Sequence, residues 1–207
     1  VLAYSAMAER AALMHANWMI ANDVFSHRQG GDNDSVYDRM LNVGYVFGGA
    51  TWGYGENLVA VTSNGMSATA IMNEFHKLWM LSPGHRANML ADSFREIGYT
   101  HVEGDLLGRD QVGVEVFGWA ANRVYVTGVA YNDKNKDAFY SIGEGTGGAV
   151  FRIEDGATGR STATGGYQVL GSLGDVVVRV TAAGAIASTR LGLDLSDGNV
   201  KVDLVNG

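Results

Sequence analysis

Three short strings carry side chains able to do chemistry: Phe25-Ser26-His27-Arg28, Gly55-Glu56-Asn57-Leu58 and Ser82-Pro83-Gly84-His85-Arg86-Ala87-Asn88-Met89-Leu90. A fourth, Arg95-Glu96-Ile97-Gly98-Tyr99, follows them. Two of these place a His just past a helix-like run, and one places a Glu after a Gly-rich run. Helix ends and loops are where a fold can aim side chains into a shared cleft. Two neutral imidazoles and a carboxylate meeting in a partly dry cleft would favour a zinc-like divalent ion. The carboxylate could bind directly or fix a His tautomer from behind. With three protein ligands a water would stay on the metal, an arrangement that could be hydrolytic or idle. His27 and His85 could equally be hydrogen-bonded cleft residues without a metal, and Glu56 an acceptor for loop amides.

A second constellation runs from Asp133 to Glu144. Asp133, Asn135, Asp137, Ser141 and Glu144 put oxygen side chains at positions 1, 3, 5, 9 and 12 of a twelve-residue loop, and Phe139 offers its carbonyl at position 7. That spacing suits calcium, with Glu144 closing the shell. Position 6 is Ala138 rather than Gly; a positive φ there would cost about 1 kcal/mol. Lys134 and Lys136 are expected to point outward. Both flanks read as strands, not as the helices of an EF-hand. Binding in the range of about 10⁻⁴ to 10⁻³ M would suffice outside the cell.

Other features carry less. His15, His76 and His101 match no motif and are expected at the surface or satisfied in the core. Trp18, Trp52, Trp79 and Trp119 are expected in the core. Gly53-Tyr54-Gly55 lacks the third Gly and the preceding parallel strand of a dinucleotide fingerprint. No GxSxG or HExxH string occurs. Asn33-Asp34-Ser35 is a formal sequon only.

The composition sets bounds. The chain has 207 residues and a formal net charge of −7, which argues against a nucleic-acid partner and against an anionic membrane surface. No apolar run is long enough to span a membrane. The absence of Cys excludes disulfides, thiolate metal sites and a Cys nucleophile. All 5 His, 4 Trp and 8 Met precede residue 121, and the remainder is rich in Val, Thr and Gly. Two domains are therefore expected, 1–121 and 122–207, joined around Ala120–Arg123.

In the first, Ala3, Met7, Ala11, Met14 and Trp18 mark one face of a helix, and Ile71, Met72, Phe75, Leu78 and Trp79 mark another. The second helix should end at Ser82-Pro83, because Pro disfavours the helical state in its predecessor. Arg86–Leu90 could add a helical turn, Gly44–Gly55 reads as an ordered loop, and Val112–Phe117 alternates as a strand. In the second domain, Arg123–Ala130, Gly148–Glu154, Tyr167–Leu170, Asp175–Ala182, Leu191–Leu195 and Asn199–Leu204 read as strands of an antiparallel β-sandwich.

Through SPGHRANML, with FSHR and GENL preceding it in the order the family has them, roughly residues 2–118 resemble the CAP superfamily of cysteine-rich secretory proteins, antigen 5 and pathogenesis-related class-one proteins, and in particular its bacterial branch, which lacks disulfides. The resemblance implies an α-β-α sandwich with one central cleft, usually in an exported protein. It implies a cleft of His27, Glu56 and His85, in which several members hold a divalent metal on the His pair. In the plant and animal branch a second acidic residue stands where this chain has Ser82. A Gln often found in the following strand corresponds to Glu115, which could supply the second carboxylate; Glu74 is the other candidate. The family's usual first helix would precede Leu2. Residues 122–207 resemble the calcium-bearing, prealbumin-like β-sandwich repeats of bacterial surface proteins, through Ala130-Tyr131-Asn132-Asp133 and Gly143-Glu144-Gly145.

The expected class is thus α+β, an α-β-α sandwich followed by a small antiparallel β-sandwich. The favoured function is a secreted bacterial binding module, its cleft taking a divalent metal such as zinc or a small apolar ligand and its second domain stabilised by calcium. The alternative is a metal-dependent hydrolase, with His27 and His85 holding the ion and Glu56 or Glu115 as general base. A third reading is a purely structural protein with both sites vestigial.

Overall fold

A computed structural model describes every residue except 32, 33, 155, 182, 185, 186 and 207, and only the backbone of residue 206. The sequon at Asn33 and the last residue of the expected strand ending at Ala182 lie outside the described residues. The chain divides into two compact units, Tyr4–Ala120 and Val1–Ala3 with Ala121–Gly207.

The first unit is built on a four-stranded sheet. Its strands are β1 (Ala3–Tyr4), β2 (Trp52–Val61), β3 (Glu96–Leu106) and β4 (Arg109–Ala120), in the order β1-β3-β4-β2. β4 pairs antiparallel with both β2 and β3. Helices α1 (Ala6–Asn22) and α2 (Val36–Asn42) share one apolar cluster with Leu58, Val112, Val114 and Val116. Helix α3 (Ala68–Leu81) packs on Val59, Val61 and Tyr99, with α4 (Pro83–Met89) beside it. Alternate residues of each strand thus face opposite helical layers, as the two-residue period of a strand requires, and the unit is an α-β-α sandwich.

Local signals account for the helix limits. Ser5, Ser35 and Ser67 cap the first three helices by accepting from backbone amides, and Ser35 with Asp38 forms a reciprocal capping box. α3 stops at Leu81, before Ser82-Pro83, and Pro83 opens α4. Gly44–Gly55 is not all loop, because Trp52–Gly55 belong to β2. β3 begins within the Arg95-Glu96-Ile97-Gly98-Tyr99 string and takes in its last four residues.

The buried face of α1 differs from the expected one. It consists of Ala8, Ala11, Ala12, His15, Ala16 and Met19, whereas Met7 and Met14 are exposed and Ala3 lies in β1. The reason is distance. A Cβ built on Gly98 of β3 would stand 1.8 Å from the Glu9 amide nitrogen, so beside Gly98 the first turns of the helix lie where alanine fits the interface and a longer side chain does not. Hydrophobicity ranks Met above Ala, but close packing reverses the choice.

The second unit consists of strands β5 (Val124–Asn132), β6 (Val150–Ile153), β7 (Thr158–Arg160), β8 (Gly166–Gly171), β9 (Asp175–Thr181), β10 (Thr189–Asp194), β11 (Val200–Lys201) and β12 (Leu204–Asn206). One sheet runs β10-β9-β6-β7; in the other β5 is flanked by β8, β11 and β12. One apolar cluster includes Val126, Phe151, Tyr167, Val169, Val178 and Leu195. The expectation of purely antiparallel pairing is corrected here, since β11 and β12 both run parallel to β5. The expected single strand Asn199–Leu204 breaks in two, with Asp203 between them accepting from the Val129 amide.

Gly98→Ala is expected to destabilise the protein by about 2 kcal/mol or more in urea unfolding, because backbone atoms must move. Gly84→Ala, on the open face of α4 with nothing within 4 Å, should change stability by no more than about 1 kcal/mol.

Candidate functional site

Glu56 lies inside β2 rather than in the preceding loop. Its side chain is 1% exposed, so its charge must be met within the fold. Arg39 of α2, itself 2% exposed, donates from Nη2 to Glu56 Oε2 at 2.6 Å. The same guanidinium donates from Nη1 to the Asp34 and His27 carbonyls, at 2.7 and 3.2 Å. One cation therefore neutralises Glu56 and moors the loop that carries His27.

His27 Nδ1 lies 2.8 Å from Glu56 Oε1. With Glu56 ionised, Nδ1 carries the proton and Nε2 remains available on a side chain that is 56% exposed. Carboxylate-backed imidazoles of this kind are common behind metal sites. His15 also approaches Glu56 Oε1, at 3.8 Å. It is fully buried, with Nε2 donating to the Ser26 carbonyl at 2.7 Å and Nδ1 accepting from Gln29 at 3.1 Å. Burial lowers its pKa, and the ring stacks on Trp18. This is a satisfied core histidine. Neither Arg39 nor His15 was legible as a Glu56 partner, because each is brought there from a different helix.

His85 stands shortly past the end of α3, in the first turn of α4. Its imidazole has no hydrogen-bond partner among the described residues. Burial lowers its pKa, and nearby His27 pushes in the same direction, so His85 is held neutral at pH 7. Its backbone is tied to the sheet by Asn57, whose Nδ2 donates to the His85 carbonyl at 3.1 Å and to Glu115 Oε2 at 2.9 Å. Asn57 Oδ1 accepts from Asn88 Nδ2 at 2.9 Å.

Glu115 does not join Glu56. In the β2–β4 register it pairs with Asn57, so it projects to the α3/α4 face while Glu56 projects to the α1/α2 face. Glu115 therefore does not supply a second carboxylate beside Glu56. It is 6% exposed, and burial raises its pKa to about 7, against the opposing hydrogen bond from Asn57. Glu74, the other candidate, is paired with Lys77 on the surface of α3.

In the Asp133–Glu144 loop, Ala138 adopts φ +64° and Lys136 φ +60°; the position where Gly is usual does take the left-handed conformation. Both Asp133 oxygens accept from backbone amides, of Asp137 at 3.2 Å and Ala138 at 2.9 Å. Asp137 accepts from the Phe139 amide at 2.8 Å. Glu144 is 5% exposed and accepts from the amides of Lys134, Asn135 and Ser141. These bonds brace the loop. Lys134 is tied back, its Nζ donating to the Gly143 carbonyl at 2.7 Å. Among the described residues no three His, Cys, Asp or Glu side chains stand together closely enough to hold a metal ion. No described helix is long and apolar enough to cross a membrane.

The chain belongs to the cysteine-rich secretory protein family, known as CAP, whose model matches residues 2–117. Two solved structures are similar. An extracellular protein containing an SCP domain from Bacillus anthracis str. Ames is 26% identical, over 56% of this chain and 33% of that one, with a TM-score of 0.42. An outer surface protein from Borrelia burgdorferi is 19% identical, over 57% of this chain and 77% of that one, with a TM-score of 0.44. The match thus takes in about a third of the length of the Bacillus protein. No curated protein matches the chain.

Glu115 makes stability depend on pH. Its folded pKa, about 7, lies above the ordinary 4.5. Its contribution is fully present below the unfolded value and is lost as pH rises through about 7, by about 3 kcal/mol. The stability difference between wild type and Glu115→Gln, followed by urea unfolding from about pH 4 to about pH 8, should shift against the wild type by that amount. A difference that stays flat would contradict the assignment.

Proposed function

We propose that the protein is an exported CAP-domain binding module whose cleft takes a divalent metal or small ligand through His27 and His85, joined to a calcium-stabilised β-sandwich. The observation that carries the cleft reading is the 2.8 Å contact of His27 Nδ1 with buried Glu56. It leaves Nε2 free, while His85 is kept neutral and unpartnered. Neutral imidazole is the form that binds metal, and the donor set fits zinc-like chemistry. Glu56 itself orients His27, because Arg39 and His27 already occupy its two oxygens. A bound ion would supply Lewis acidity and order the two histidines.

Hydrolysis draws no such support. Glu56 is held by Arg39 and His27, and Glu115 is buried and held by Asn57, so neither carboxylate is left open as a general base. Export is supported by family membership and by the calcium-type loop. In that loop the side-chain oxygens of Asp133, Asn135, Asp137 and Ser141 with the Phe139 carbonyl suit a hard cation. The left-handed Ala138 supports it too, since strain of this kind persists where surroundings over-determine it.

Zn²⁺ is expected to raise the melting temperature of the wild type and to leave His85→Ala unmoved; equal stabilisation of both would sink the cleft reading. Separately, removing Ca²⁺ with a chelator should lower the wild-type melting temperature and leave Asp133→Ala unchanged. A wild type indifferent to Ca²⁺ would sink the loop reading.

A further inference from the structure

β2 opens with an alternation that is inverted relative to ordinary strands. Its small residues face inward: a Cβ on Gly53 would stand 2.3 Å from Trp119, and one on Gly55 2.8 Å from Phe94. Its large residues face outward, Trp52 being 44% and Tyr54 41% exposed. They meet Tyr37 of α2 and Phe47 of the preceding loop. Tyr37 and Trp52 are 5.1 Å apart with ring planes 19° from parallel, and Trp52 and Tyr54 are 6.4 Å apart at the same angle. Phe47 lies 5.0 Å from both Tyr37 and Trp52. The expectation that Trp52 is a core residue does not hold.

Three properties narrow what such a surface recognises. Its rings are borne by a strand and a helix, so they are held in place before any ligand arrives. The Tyr37 and Tyr54 hydroxyls and the Trp52 indole N–H have no hydrogen-bond partner among the described residues. A purely apolar ligand would cover these groups without pairing them, which is costly. A cation has little to draw it: the nearest carboxylate along the strand, Glu56, sits about 7 Å on and is already met by Arg39 and His27. Exposed ring surface beside hydroxyl and N–H groups without partners suits a neutral, hydroxyl-rich ligand.

We infer that Tyr37, Trp52 and Tyr54 form a platform for the pyranose faces of a neutral saccharide, with the C–H faces stacking on the rings and sugar hydroxyls pairing with the phenols and the indole. The platform shares β2 and α2 with the His27–Glu56 contact but needs no metal.

The test is titration of the full chain, in EDTA, with cellotetraose and with chitotetraose, read by tryptophan fluorescence and calorimetry. EDTA separates this outcome from that of the metal reading. Saturable binding of either sugar is expected, weakened about tenfold or more by Trp52→Ala and largely kept by Trp52→Phe. If Trp52→Ala melts well below the wild type, Tyr54→Phe decides the matter, since it removes only a hydroxyl and should weaken binding about threefold or more. No saturation with either sugar, or affinities untouched by these variants, would overturn the platform. So would saturation by tetramethylammonium or octanoate in place of the sugars.

Discussion

The buried pairing of Arg39 with Glu56 organises the first unit. A carboxylate with 1% exposure cannot remain ionised in an apolar interior without a partner. Arg39 supplies that partner and donates from Nη1 to two carbonyls of the loop between α1 and α2. The charge on Glu56, the position of that loop and the tautomer of His27 are thus settled together. Breaking one member of such a pair leaves an uncompensated charge, which is why pairs of this kind act as structural constraints even where their net contribution to stability is small.

The sheet then acts as a partition. Along β2, even-numbered residues carry Trp52, Tyr54, Glu56 and Leu58 toward α1 and α2, while odd-numbered Asn57 and Val59 turn toward α3 and α4. Two chemistries are kept apart by one residue of register. On one side an ionised carboxylate is satisfied by a guanidinium and an imidazole. On the other Glu115 is met by Asn57 alone and drifts toward neutrality. His85, on a short helix held to the sheet by Asn57, approaches from that second side.

Much of the site's membership could be read in the chain, and little of its wiring. His27, Glu56 and His85 stood out because each sits in a short string of unusual composition. Arg39 and His15 did not, since nothing near either residue marks it as the partner of a carboxylate on another element. Glu115 was legible as a carboxylate in a strand, but its face depended on whether it paired with residue 56 or 57. The α1 face was misjudged for a related reason: periodicity finds a stripe, and only the closeness of Gly98 to Glu9 shows that the stripe must be built from alanine.

By itself the sequence determined what acts over a few residues. Serine caps and the stop at Ser82-Pro83 follow from local sterics and hydrogen bonding, and the compositional break near residue 121 is a property of the chain itself. Only the tertiary structure decided which groups meet: Glu56 with Arg39 rather than with Glu115, Glu144 with the backbone amides of its own loop, and Trp52 at the surface rather than in the core. Those outcomes rest on strand register and interlayer distance, which arise when distant segments pack and leave no mark on any one of them.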